Sequence, residues 1–148
     1  MVQNHRDVER LRRIAIEKLN RSGTADDRAL VGIVCRAKAN GRWGLGDRVN
    51  MGPFETEAEF WTELFHEAGH KHLGVGGEMR EEEMCHHFSR RTCTRLGLPY
   101  SLELEASSRA VRLIYEKWYR EGEFDCDALE AISPSHRAVL GVTNREEE

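Results

Sequence analysis

Apolar positions recur at helical spacing through most of the chain and crowd together at strand-like density in one part of it. Residues 5 to 21 carry Val8, Leu11, Ile14, Ala15 and Leu19 among many Arg and Glu residues, the stripe of an amphipathic helix that stops at Ser22-Gly23. His5 opens it and reads as a solvated side chain. Residues 29 to 36 hold Val31, Ile33 and Val34, a β-branched run that predicts a strand. Asn40-Gly41 then gives the hairpin signal, and Leu45 to Met51 predicts the returning strand, weakened by Gly44 and Gly46. Gly52-Pro53 closes this part. Three longer helices follow, over residues 56 to 73, 78 to 96 and 102 to 120, with a short one after Asp125 and a frayed end from Arg145 to Glu148. The pattern predicts an α+β fold: a small antiparallel sheet or hairpin packed beside a helical core. It shows no repeat and no linker, so residues 1–148 read as a single domain.

The helix over 56 to 73 carries the chemistry. Thr56 and Glu59 have the spacing of a capping box, Phe60, Trp61, Leu64, Phe65 and Leu73 give the apolar stripe, and Gly74, Gly76 and Gly77 stop it. Within it lies His66-Glu67-Ala68-Gly69-His70, an H-E-x-x-H pattern. Residues four apart on a helix share a face, so His66 and His70 can hold one metal ion while Glu67 flanks its open side as general base. The competing reading, two surface histidines on an ordinary amphipathic helix, lacks an explanation for the matching cap, stripe and stop.

Composition narrows the setting. Charged residues make up 32% of the 148 and the net charge is −4, which asks for no nucleic-acid partner and leaves room only for a local basic patch. The first thirteen residues are polar and charged, and no apolar run approaches a membrane span, so a cytoplasmic location is expected. Cys35, Cys85, Cys93 and Cys126 are widely spaced without a C-x-x-C pair, the arrangement of buried reduced thiols.

A catalytic zinc site takes three protein ligands and leaves one position open. His72, two residues past His70, points away, and position 76 is Gly where an extended H-E-x-x-H-x-x-G-x-x-H motif needs His. The acidic start of the next helix is the better source. Its periodicity, with Cys85, Phe88, Thr92 and Leu96 on one face, admits Glu78, Glu81 or Glu82 and disfavours Glu83, read as solvated. The segment F-H-E-A-G-H followed by E-E-x-x-C-H-H-F-S resembles the ImmA/IrrE-like zincin metallopeptidases, whose second helix has the form E-x-x-A-[N/D]-x-F-A. That resemblance implies a zincin-like fold of the gluzincin kind, Zn2+ as cofactor, and Glu82 as the third ligand. Cys85 falls on the small residue and Phe88-Ser89 on the Phe-Ala pair, whereas His86 replaces the Asn or Asp that would orient a ligand histidine. Met51 to Phe54 and Cys93 to Gly97 are similar to the zincin domain of ArdC-type antirestriction proteins, an alignment that again selects Glu82. Both resemblances cover about residues 45 to 98.

The expected function is therefore a zinc-dependent intracellular endopeptidase. Zinc held by His66, His70 and Glu82 would activate a water, Glu67 would take its proton, and Tyr100, Tyr115 or His136 are candidate donors to the oxyanion. The expected substrate is a protein or peptide, and the ImmA/IrrE resemblance implies a transcriptional repressor. Two other classes compete. A zinc-containing binding protein would need the ligands but not Glu67, and a purely structural helical protein would bind no metal.

Overall fold

The computed structural model describes residues 5–35 and 54–142, and places seven helices there. In chain order they are α1 (His5–Ser22), α2 (Ala25–Cys35), α3 (Glu57–Leu73), α4 (Met79–Leu96), α5 (Leu102–Glu121), α6 (Cys126–Glu130) and α7 (Pro134–Val139). The described residues contain no strand, so the expected α+β fold is corrected to all-α. The predicted strand at 29 to 36 is the point of failure, because Ala29 to Cys35 belong to α2. The Asn40-Gly41 turn, the return strand from Leu45 to Met51, the His5 side chain and the frayed end from Arg145 lie outside the described residues.

The reason α2 is helical lies in its first turn. The Thr24 hydroxyl accepts from the Asp27 amide at 3.1 Å, and Asp26 and Asp27 complement the positive end of the helix. Leu30, Ile33 and Val34 then fall on one helical face and are all buried. Preferences for strand among β-branched residues span only about 1 kcal/mol, which the burial of three aliphatic side chains exceeds.

Helix α3 is the centre of the molecule. Every residue from Glu59 to His66 is buried, and its most extensive packing is against α4, with α2 and α5 on other sides. The predicted cap holds in part. Thr56 Oγ1 accepts from the Glu59 amide at 3.2 Å, but the Glu59 carboxylate reaches the Glu55 amide at 3.3 Å instead of Thr56. At the other end Gly74 adopts φ 67°, the left-handed conformation that lets the Val75 amide turn back to the His70 carbonyl at 3.1 Å. Leu73, expected on the buried stripe, is 37% exposed because it sits in that last turn.

Gly69 sets how closely α4 approaches. A Cβ there would meet Phe88 Cδ1 at 3.0 Å and the Cys85 Cα at 3.6 Å, so only a glycine lets α4 lie this near without displacing the Phe88 ring. The seam is also tied by polar groups: Ser89 Oγ donates to the Thr62 carbonyl at 2.7 Å, and Thr62 Oγ1 accepts from the Ser101 amide at 2.8 Å. The main apolar cluster joins α1 to α4 with Leu104 and Val139, and a smaller one joins Val111, Ile114, Leu129 and Ile132, with Leu140 packed against both. Cys85 and Cys93 are buried as free thiols, while Cys35 is exposed and Cys126 half-buried, so the expectation of buried thiols holds for two of the four. No described helix is long and apolar enough to cross a membrane.

Candidate metal centre

Helix periodicity brings His66 and His70 to one side of α3, their ring centroids 5.0 Å apart. The first turn of α4 faces them, and Glu82 reaches across the seam with both oxygens. His66 Nε2 lies 2.8 Å from Glu82 Oε2, and His70 Nε2 lies 3.2 Å from Glu82 Oε1. A tetrahedral zinc ion with bonds of about 2.0–2.1 Å separates its ligand atoms by roughly 3.3 Å. Those two spacings approach that value, and two imidazoles with a carboxylate are a donor chemistry zinc takes, but the side chains that each offer one ligand atom within 4.8 Å of one another are His66, Glu67 and His70 and, separately, His66, Glu82 and His86.

The tautomer of His70 is set from behind. Its Nδ1 lies 3.2 Å from the Val75 carbonyl, an acceptor only, so Nδ1 carries the proton and Nε2 faces Glu82. Burial alone would lower the His70 pKa, but hydrogen bonds with Cys85 and Glu82 and the charges of Glu82 and Glu67 outweigh it and raise it to about 11. Burial alone would raise Glu82, but hydrogen bonds and charge from His66 and His70 hold it far below the ordinary carboxylate range. Arg112 on α5 adds a cation 3.7 Å from Glu82 Oε1.

The rival carboxylates are occupied differently. Glu81 accepts from the Gly76 amide at 3.0 Å and so ties down the turn between the helices. Glu78 stands at the N-cap of α4 and is exposed. Glu83, expected to be solvated, makes a two-point ion pair with Arg109, at 2.6 and 2.9 Å. His72 turns away from the site, as its position on the helix predicts, and stacks on Phe88 with centroids 5.4 Å apart.

Three participants were not singled out from the sequence in the positions they take here. Glu63, one turn before Glu67, is buried beside it; burial, the neighbouring Glu67 charge and a side-chain hydrogen bond with Glu67 push its carboxyl well up. The spacing of Glu59, Glu63 and Glu67 at every fourth position of an apolar helix was the available signal. Arg112 had no sequence signal, since its distance along the chain hides its proximity. His86 stands where the family pattern has an orienting Asn or Asp; its ring lies 4.5 Å from that of His66, and one nitrogen each of His66 and His86 and one Glu82 oxygen lie within 4.8 Å of one another. Burial, His66 and Arg109 lower the His86 pKa to about 4, leaving a neutral imidazole.

A cavity of about 390 Å³ opens on the site. Glu63, His66, Glu67 and Glu82 form its polar side, and Val111, Tyr115, Tyr119, Leu140 and Val142 are among the groups facing them. Of the three candidate oxyanion donors only Tyr115 lines it. Tyr100 donates to Glu105 at 2.7 Å, and His136 is held between Ser107 at 2.7 Å and Glu59 at 3.4 Å. No protein-family model, curated protein or solved structure matches this chain.

Proposed function

We propose that the protein is a zinc-dependent peptidase with His66, His70 and Glu82 as metal ligands and Glu67 as general base. The observation that carries this reading is the convergence of both imidazole Nε2 atoms on the two oxygens of one carboxylate, at 2.8 and 3.2 Å. Zinc bound there supplies Lewis acidity to a scissile carbonyl and lowers the pKa of water from 15.7 to about 7. Glu67 lines the cavity beside the two histidines, in position to accept the proton of the attacking water. The water oxygen bonds to the carbonyl carbon, the carbon–nitrogen bond breaks, and the proton passes through Glu67 to the departing amine. The hydrogen bond between Glu63 and Glu67 orients the Glu67 carboxylate. Tyr115 is the candidate to donate to the oxyanion, and the Val111 and Leu140 wall suits an apolar substrate side chain. A repressor as the substrate follows from the ImmA/IrrE resemblance and a cytoplasmic setting from the chain's composition, and both belong to this proposal.

The test is metal content and proteolysis together. One zinc per chain is expected in the wild type, lost in His66→Ala and Glu82→Ala and retained in Glu67→Gln, with peptide hydrolysis absent from all three variants. A Glu67→Gln protein that still cleaves, or a wild type that takes up no zinc when supplied, sinks the peptidase reading.

A second reading, a zinc-containing binding protein without activity, is favoured by His86 alone. If its neutral nitrogen joins His66, His70 and Glu82, the metal has four protein ligands and no open position, the arrangement of structural zinc. His86→Ala separates the two: a gain of activity supports closure by His86, and unchanged zinc affinity argues against it.

A further inference from the structure

Two shallow hollows adjoin each other outside the metal centre. The first lies where the ends of α1 and α4 meet and is lined by Lys18, Arg21, Ser22 and Arg95. The second runs along the outer face of α4 past His87, Arg90, Arg91 and Thr94, and Arg95 borders both. No carboxylate among the described residues lines either hollow. The sequence reinforces this, because from Met84 to Leu102 the chain has no Asp or Glu. In a protein of net charge −4 such a face is a segregation of charge, not a reflection of the average. Concentrated like charge repels itself, a cost relieved when a polyanion arrives.

We propose that this face binds the phosphodiester backbone of a nucleic acid, without reading its sequence. His87, Arg91 and Arg95 stand four residues apart on α4, so the row offers a donor about every 6 Å along the helix axis, a track suited to a repeating anion. Guanidinium groups match phosphate oxygens two at a time, and the Thr94 hydroxyl adds a neutral donor. A protein partner would be expected to find aromatic or large apolar anchors, and a membrane surface would need apolar side chains that project. The apolar group bordering the hollows is Leu96, only 9% exposed. The overall charge hides this face, which is why composition argued against nucleic acid.

Arg95 also pairs with the buried Asp27, so its charge is partly engaged. Lys18, Arg21, Arg90 and Arg91 remain for phosphate, and four contacts predict a log–log salt slope of about −3.6 on duplex DNA. The inference does not rest on the metal reading. The experiment is anisotropy of a labelled duplex of arbitrary sequence titrated with the full chain between 50 and 200 mM salt. Binding is expected at that slope, indifferent to duplex sequence, and retained in His66→Ala. Arg90→Ala/Arg91→Ala, both exposed and checked for folding by circular dichroism, should weaken binding and reduce the slope by about two. No salt-dependent binding at 50 mM, or an unchanged slope in the double variant, overturns the proposal. Displacement of the duplex by polyglutamate at equal charge concentration overturns it in favour of an acidic protein partner.

Discussion

Glu82 is the residue on which the candidate site turns, because it comes from a different helix than the histidines and meets both of them. Removing its carboxylate leaves two imidazoles, which cannot complete a zinc site of three protein ligands. Glu81→Ala should behave differently: zinc is retained and bound about tenfold more weakly, since only the tie to the Gly76 amide is lost. Equilibrium dialysis of the two variants side by side checks this, and zinc lost from Glu81→Ala but kept by Glu82→Ala would reverse the assignment. Glu63→Gln keeps a hydrogen-bonding partner beside Glu67, whereas Glu63→Leu deletes it. The first should keep most of any activity and the second should lose on the order of tenfold or more in kcat at unchanged zinc content. His66, Glu67 and His70 were legible because one helical turn relates them within five residues. Glu82 was legible only as one of several carboxylates, because the seam between two helices decides which of them faces the histidines. Arg112 and the close approach of His86 were not legible, since both depend on how whole helices dock.

At the scale of elements, α2 and the α3–α4 seam make the sharpest demands. Capping and the acidic first turn of α2 were present in the sequence, but the β-branched run outweighed them there; burial of one face against α1 and α3 decides otherwise. Asp27 holds the start of α2, its buried carboxylate accepting from Ser22 and Arg95. Burial alone would raise its pKa, but those hydrogen bonds and the Arg95 charge bring it below the ordinary 3.8. A depressed folded value means the stabilisation is present above pH 3.8 and is lost as pH falls through the folded pKa. Asp27→Ala should therefore cost about 2–3 kcal/mol at neutral pH and progressively less in acid. Urea titrations at pH 7 and pH 3 test the sign, and an equal loss at both would refute it. In the seam, Gly69→Ala gains about 1 kcal/mol of helix propensity but crowds Phe88, for which overpacking costs about 1–3 kcal/mol. The net expectation is modest destabilisation with a larger fall in zinc affinity, because pushing α4 outward carries Glu82 away from the histidines.

For the molecule as a whole, a metal bound at the proposed site links the metal, proton and folding equilibria. His70 is raised to about 11, so in chelator-treated protein its protonated form stabilises the fold fully below pH 6.5, and that contribution is lost as pH rises towards 11. Glu82 runs the other way, its contribution present above pH 4.5 and lost in acid. Zinc bound as proposed would displace the His70 proton, so its affinity should rise about tenfold per pH unit above neutrality, with about one proton released per ion. Calorimetry in buffers of different ionisation enthalpy measures that proton directly. Zinc at a hundred times its dissociation constant should add about 2.7 kcal/mol to stability, visible as a rise in Tm that a chelator reverses.

The distribution of thiols gives the same molecule a built-in clock. Cys35 is open to reagent, whereas Cys85 and Cys93 have no exposed surface and line α4 on its inner side. Burial also pushes the Cys93 thiol up to about 12, so the thiolate that maleimides and disulfide reagents need is scarce even when access is briefly gained. Labelling should accordingly proceed in stages, Cys35 at once and the two inner thiols only when α4 lifts from α3. The late rate then counts how often that seam parts, residue by residue, without any need to unfold the chain.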